Sequence, residues 1–247
     1  MATSMLQGLS DRLRTPVPSL PLAIFRIGFG LVLFFSLARF IANGWVETQY
    51  IAPAFHFTYA SFGWVRPLPG QGMLVVFATM ALLTLLIAVG WHYRASIIAF
   101  FVLFTYVELI DQAYYLNHYY LITLLSFLMI WLPLNCRWSL DARRDPRLYA
   151  ATVPAWTITV LRAQLGLVYF FAGVAKLNPD WLLQGMPLAL WLPPLRELPL
   201  IGPLLAHHET ALLMSWAGAA VDLTIPLWLF WRRTRPFAYD VVAGFHI

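Results

Sequence analysis

The sequence predicts an all-α polytopic membrane protein with about six to seven transmembrane helices and with interfacial aromatic segments on its outer side. Of its 247 residues, 61% are hydrophobic and only 11% are charged, which is far from the balance of a soluble domain. The apolar residues come in runs of about 20, the length that a helix needs to cross a bilayer. The net charge of +5 lies in short connections between these runs. Membrane topology therefore explains the positive charge, and a nucleic-acid partner is not predicted.

Six apolar runs are candidate spans, and a seventh apolar segment starts near Pro236 and continues to Ile247. The six candidate spans are 20–42, 71–90, 94–111, 117–133, 155–176 and 209–231. We expect residues 1–19 to form a cytoplasmic N-terminal segment and residues 20–247 to form one transmembrane domain. Because the sequence ends inside an apolar segment, we also expect it to be part of a longer protein.

The distribution of arginine residues predicts how the protein is oriented in the membrane. If six spans alternate, one side of the membrane receives most of the positive charge: Arg12, Arg14, Arg94, Arg137, Arg143, Arg144, Arg147, Arg232, Arg233 and Arg235. The positive-inside rule then places the N-terminus in the cytoplasm. The segments 43–70, 111–117 and 176–208 are expected on the outer side, which we interpret as the periplasmic side of a bacterial inner membrane.

The two long outer segments are rich in aromatic residues and too polar to span. Segment 43–70 is either an interfacial aromatic belt or a lid and ligand wall over an outward-facing cavity. Segment 177–205 is predicted to lie along the surface as short pieces.

Lys176 is the only lysine beside 15 arginines, and it follows an apolar run at the end of the fifth span. Arginine stays protonated at any accessible pH, whereas a desolvated lysine can lose its proton and act as a base. The alternative is that Lys176 extends its amine to the membrane interface.

A second polar group lies around residues 108–120. Glu108, Asp111, Tyr115 and His118 either share one helical face or cluster around a turn at 111–117. Ionisable residues near hydrocarbon mark sites or pathways by default. His118 is either an interfacial histidine bonded to Asp111 or a base that a carboxylate orients.

Two further charges lie about midway along spans five and six. We predict that Arg162 and Asp222 form a structural ion pair between antiparallel neighbours, with an interior polar cavity as the alternative. No metal site is predicted, since the adjacent His207 and His208 would point apart on a helix. The single Cys136 excludes an intramolecular disulfide within this sequence.

Several strings occur in an order that resembles the membrane domain of vitamin K-dependent γ-glutamyl carboxylases, the horizontally transferred transmembrane domain found in many bacteria. They are Asp111-Gln-Ala-Tyr-Tyr-Leu-Asn117-His118, Trp138-Ser-Leu-Asp141, Leu161-Arg162-Ala-Gln164, Ala172-Gly173-Val-Ala-Lys176-Leu-Asn-Pro-Asp180-Trp181, Asp222 and Phe245-His246. The resemblance covers nearly the whole chain.

The resemblance implies a chemistry. A lysine at the position of Lys176 is the base that deprotonates vitamin K hydroquinone, and O2 then converts the anion into a stronger base. That base removes a γ-proton from a glutamate in a peptide or protein, and CO2 adds there while the quinone leaves as an epoxide. By the same resemblance His118 assists as a catalytic residue. The expected quinol-binding residues are Asp111, Tyr115, Asn117, Trp181 and His246.

Menaquinol is the other quinol that we consider, since bacterial relatives differ in their chemistry. The competing hypothesis is a non-catalytic membrane module of the same fold. Such a module would bind a quinone or a lipid, or would help to mature or export a peptide. Beyond the lipid bilayer, the expected partners are therefore a lipophilic quinol and a glutamate-containing substrate.

The role of His118 is testable. If His118 polarises the quinol oxygen, His118→Ala lowers turnover while the yield of folded protein stays near that of the wild type. Turnover with the quinol and detergent-solubilised yield by size-exclusion chromatography measure the two effects. Equal loss of both would show that His118 is structural.

Overall fold

The computed structural model describes the backbone of residues 2–231 and 233–246, and the side chains of residues 7, 8, 10–231 and 233–244. Twelve α-helices and one small sheet make up the described part of the chain. The helices are α1 (Ala2–Arg14), α2 (Leu20–Ala42), α3 (Gly72–Val89), α4 (Tyr93–Ile110), α5 (Asn117–Trp131), α6 (Leu140–Arg144), α7 (Trp156–Ala175), α8 (Pro179–Leu182), α9 (Leu188–Trp191), α10 (Gly202–Leu205), α11 (His208–Phe230) and α12 (Arg235–His246).

The structure confirms the predicted fold class. Within the described residues, five helices are long and apolar enough to cross a membrane: α2, α3, α4, α7 and α11. The bounds of these helices nearly match those of five predicted spans. The reason is that a helix across the bilayer and an apolar run in the sequence must both have the length of the hydrocarbon core. The fourth predicted span forms α5, which has only 15 residues. The apolar segment after Pro236 forms α12, a helix of 12 residues.

The chain divides into two compact units, residues 1–161 and 162–247. In the first unit α2, α3, α4 and α5 pack in succession around a buried apolar core. Strands β1 (Pro16–Pro18) and β2 (Thr152–Pro154) pair antiparallel, with Val17 opposite Val153. Ser19 strengthens this junction, because its hydroxyl donates to the carbonyl of Ala150 at 2.7 Å.

A buried arginine joins three parts of the first unit. Arg26 in α2 is fully buried, and it donates from Nη1 to the carbonyl of Ile87 near the end of α3 at 3.2 Å. Its Nη2 donates to the carbonyl of Trp138 at 2.6 Å. The end of α3 and the loop before α6 are thereby held against α2, and the charge contacts oxygen atoms rather than hydrocarbon.

Asp141 reinforces the same junction. Its carboxylate accepts from the backbone N–H groups of His92 at 2.8 Å and Tyr93 at 2.9 Å, where α4 begins. An acidic cap satisfies N–H groups that have no partner in the helix and complements the helix dipole. The backbone N–H of Asp141 also donates to the carbonyl of Gly90 at 2.9 Å.

Segment 43–70 of the first unit is largely irregular. It begins with a π-helical turn at Glu47–Ile51 and reaches α3 through a stretch without regular helix. This segment lines a cavity of about 500 Å³. Segment 43–70 thus lines a cavity and also exposes several aromatic side chains, so the aromatic belt and the ligand wall both stay predictions.

The second unit is built on the contact between α7 and α11. A Cβ atom on Gly173 would lie 2.7 Å from Cγ of Leu223, and one on Gly166 would lie 3.6 Å from Cβ of Pro226. The order of these contacts makes the two helices antiparallel, and the absence of a side chain at Gly173 lets their backbones approach closely. In the chain between α7 and α11, the short helices α8, α9 and α10 are the short pieces predicted for segment 177–205.

Gly90 has no room for a side chain. Its φ of +67° is left-handed, and a Cβ atom there would overlap Nη1 of Arg26 and Cβ of Ser139. We expect Gly90→Ala to cost about 1–2 kcal/mol from the backbone alone, and more from the displaced guanidinium. The thermal unfolding midpoint in detergent measures the effect.

Gly28→Ala is the matched control. Gly28 also lies near Arg26, but a Cβ atom there meets nothing within 4 Å. Alanine in a helix is favoured over glycine, so this control should unfold at the wild-type temperature or slightly above it. A drop for Gly28→Ala as large as that for Gly90→Ala would contradict the argument.

Candidate functional site

The amine of Lys176 is held inside the second unit. Lys176 directly follows the last residue of α7, and its backbone N–H donates to the carbonyl of Gly173 at 3.1 Å. Its Nζ donates to the carboxylate of Asp222 in α11 and lies 3.5 Å from the carbonyl oxygen of Ala172. The Lys176 side chain is 19% exposed and that of Asp222 only 4%. Lys176 therefore does not extend its amine freely into an interface.

Trp181 forms the second wall around the amine. Asn178 caps α8 by accepting from the backbone N–H of Trp181 at 2.9 Å, which fixes the start of that short helix. The indole Nε1 donates to the carbonyl of Ser215 in α11 at 2.8 Å. Nζ of Lys176 lies 5.1 Å from the centroid of the Trp181 ring, within the range of a cation–π contact.

Ser215 adds a polar atom to the same face of α11. It precedes Asp222 by seven residues, which is two helical turns, so both side chains leave the helix on one side. Ser215 is fully buried, and among the residues that the structure describes its Oγ has no hydrogen-bond partner. A buried hydroxyl in this state costs about 1–3 kcal/mol unless a ligand or water satisfies it.

The predicted ion pair between Arg162 and Asp222 is wrong. The contact of Gly173 with Leu223 places Asp222 level with the end of α7, where Lys176 lies. Arg162 lies fourteen residues earlier, or about 21 Å along a helix. Arg162 lies within electrostatic range of Tyr239 and of the like charge of Arg235, both in α12, and neither is an ion-pair partner.

The polar group around residues 108–120 forms the predicted turn. Asp111 ends α4, a 3₁₀ turn covers Gln112–Tyr114, and α5 begins at Asn117. His118 lies exposed in the first turn of α5, with its ring edge-on to Tyr119 at 4.6 Å between centroids. Asn117 and Tyr115 are exposed as well.

Asp111 does not bond to His118. Its carboxylate accepts from Nδ1 of His56 at 3.0 Å and from the backbone N–H groups of Phe57 at 3.3 Å and Ala113 at 2.9 Å. The interpretation of His118 as a partner of Asp111 is therefore wrong, because His56 from the outer aromatic segment occupies that position.

The structure thus brings together Lys176, Trp181 and Asp222 in the second unit. The residues Asp111, Tyr115, Asn117 and His118 belong to the first unit. The side chain of His246 lies outside the described residues, so its predicted role stays a prediction.

Sequence reasoning missed two participants, Ser215 and His56. The seven-residue spacing from Ser215 to Asp222 could have identified Ser215, because it places the hydroxyl group on the same helix face as the carboxylate. No local pattern connects His56 to Asp111, which lies 55 residues later in the chain.

The arrangement around Lys176 has the parts of a proton-transfer site. A primary amine, a buried carboxylate and an aromatic face meet there, and a buried hydroxyl group without a hydrogen-bond partner among the described residues lies on the same face of α11. In such surroundings an amine and a carboxylate interact strongly, and a planar ring can stack on the indole.

A comparison with protein families identifies one family for the chain. The model described as the HTTM domain matches residues 15–247. No solved structure matches the chain.

The ion pair of Lys176 and Asp222 makes a prediction about stability. Lys176→Met leaves a buried carboxylate without a partner, and the loss of one member of a buried pair costs about 3–5 kcal/mol. Adding Asp222→Asn removes the stranded charge, so the double variant should unfold at a higher temperature than Lys176→Met alone. Thermal unfolding in detergent measures the wild type, both single variants and the double variant, and losses of the two single variants that add up in the double variant would contradict the pairing.

Proposed function

The chain belongs to the HTTM domain family, the membrane domain associated with vitamin K-dependent carboxylases, and we propose that it is an integral membrane enzyme acting on a reduced quinol. In this proposal Lys176 is the base that deprotonates vitamin K hydroquinone or menaquinol. O2 and CO2 are the co-substrates, and a glutamate in a peptide or protein is the acceptor. The observation that carries the proposal is the partly buried amine of Lys176 between the buried carboxylate of Asp222 and the ring of Trp181.

The residues around Lys176 fit a planar, lipid-soluble quinol. Trp181 offers an aromatic face, and the unpartnered Oγ of Ser215 offers a hydrogen-bond donor and acceptor. The surface on either side of Lys176 is apolar and exposed, which gives a ligand dissolved in hydrocarbon a route to it. The exposed apolar side chains are Phe170, Phe171, Val174 and Leu177.

When bound, the quinol supplies an acidic hydroxyl group and the four electrons that reduce O2, of which one oxygen atom enters the epoxide and the other leaves as water. The role of the protein is to present an amine that can accept the hydroxyl proton. Asp222 fixes Nζ on the buried face, and it can take the proton that Nζ holds.

The proposal includes a location. The arginine pattern favours a bacterial inner membrane with the N-terminus in the cytoplasm and with Lys176 toward the outer side.

A second candidate is a non-catalytic module that binds a quinone or a lipid, or a factor for peptide maturation or export. The ion pair itself favours this candidate, because Lys176 bonded to Asp222 would also join α7 to α11 in a protein without chemistry.

Lys176→Arg separates the two candidates. Arginine keeps the positive charge beside Asp222 but stays protonated, so it cannot serve as the base. We expect the variant to fold and to retain quinol binding while epoxide formation falls about 100-fold or more, the contribution typical of a general base. Mass spectrometry of the quinone product measures epoxide in protein supplied with quinol, O2 and bicarbonate.

Two controls define the outcome of this experiment. The unfolding midpoint of Lys176→Arg shows whether the protein is intact, and labelled bicarbonate shows whether CO2 enters a glutamate peptide. Wild-type levels of epoxide in an intact Lys176→Arg protein would exclude Lys176 as the base. Quinol binding without epoxide in the wild type would favour the non-catalytic module.

A further inference from the structure

A groove runs along the first unit where α2, the end of α3 and the start of α6 meet. Its volume of about 440 Å³ lies in the range of small-molecule sites. The two long helices approach closely beside it, because a Cβ atom on Gly30 of α2 would lie 2.8 Å from Cβ of Ala88 in α3. The lining residues include Ile27, Leu31, Val89, Trp138, Leu140 and Arg143.

One end of the groove is apolar and belongs to membrane-spanning helices. Ile27 and Leu31 lie four residues, or about 6 Å, apart along α2, and Val89 ends α3. Both helices are long and apolar enough to cross a membrane, and Leu31 and Val89 are exposed. This wall therefore faces acyl chains, and a lipid tail is the ligand group that fits it.

The other end of the groove is positively charged. Arg143 in α6 is exposed, and no ion pair among the described residues includes it. Trp138, in the loop before α6, is also exposed, and indole rings favour the headgroup region of a bilayer. The buried guanidinium of Arg26 donates to the carbonyl of Trp138 and brings a second positive charge close to this end. An anionic group is what this end of the groove attracts.

The wall offers no counter-ion to a cationic group. Among the described residues, no acidic side chain lines the groove. The two aspartates of this connection are engaged by the backbone, because Asp141 caps α4 and Asp145 accepts from the backbone N–H of Arg147 at 3.0 Å. The ammonium group of a zwitterionic headgroup would thus meet Arg143 without a carboxylate to bind, whereas a headgroup with only a negative charge meets no such conflict.

We propose that this groove binds an anionic phospholipid, with its phosphodiester beside Arg143 and one acyl chain along α2 and α3. A phosphodiester carries one negative charge, and the planar guanidinium can donate to two of its oxygen atoms. The other arginines of the connection attract anionic lipid to this surface in general, but the groove adds a defined place for the tail. The site lies in the first unit and does not depend on the quinol chemistry.

The test is native mass spectrometry of the full chain released from mixed micelles that contain equal amounts of dioleoyl phosphatidylglycerol and dioleoyl phosphatidylcholine. The two lipids share their tails and differ in net charge. We expect the wild type to retain phosphatidylglycerol at least about tenfold more than phosphatidylcholine. Arg143→Gln should lower that ratio about tenfold, because it removes a charge-assisted hydrogen bond to the phosphodiester.

Arg147→Gln is the matched control for charge. Arg147 is exposed and lies in the same connection, but it does not line the groove. Its charge is screened by salt over the distance to the groove, so the ratio should change less than about twofold.

Val89→Trp tests the apolar wall, because the larger ring would occupy the space of the lipid tail. Val75→Trp is its control, since Val75 is also exposed on α3 but does not line the groove. We expect Val89→Trp to retain about tenfold less phosphatidylglycerol, and Val75→Trp to retain as much as the wild type. Size-exclusion chromatography shows that each variant is intact.

Three results would overturn the proposal. They are equal retention of the two lipids by the wild type, a loss in Arg147→Gln as large as that in Arg143→Gln, and an unchanged lipid preference in intact Val89→Trp protein.

Discussion

Charges among membrane-spanning helices have to find their partners within the protein, and this constraint determines how the described part of the chain is assembled. Arg26 binds two backbone carbonyls and so joins α2 to α3 and to the loop before α6. Lys176 binds Asp222 and so joins α7 to α11. In each case a charged side chain, which is costly in hydrocarbon, fixes how one helix is positioned along its neighbour. Apolar packing alone would define that position less sharply.

Asp111 and Asp222 use one arrangement for different purposes. Their side chains are 5% and 4% exposed, and each carboxylate holds one basic side chain by a nitrogen atom. The amine of Lys176 is reached from an apolar surface, whereas His56 faces a cavity wall with an arginine. In our proposed function the pair of Lys176 and Asp222 serves a lipid-soluble ligand.

The sequence was sufficient for the helices but not for their contacts. Bilayer thickness imposes a length on every span, so hydropathy located α2, α3, α4, α7 and α11 closely. The contact of Gly173 with Leu223 sets α7 and α11 so that Lys176, and not Arg162, lies level with Asp222. From the sequence, Arg162 was chosen because both residues lie about midway along their spans. The pair of His56 and Asp111 joins residues from an irregular segment and a helix end, where no periodicity reports proximity.

The shortness of α5 has a consequence for the surrounding lipid. α4 crosses the membrane and α5 returns the chain, yet the 15 residues of α5 extend only about 22 Å against a hydrocarbon core of about 30 Å. Trp131, which is 66% exposed, ends the helix with a side chain that favours the headgroup region. A span as short as α5 is accommodated by local thinning of the bilayer, by flanking side chains that extend to the interface or by oligomerisation, so the acyl-chain length of the host lipids affects the stability of a protein that uses α5 to cross the membrane.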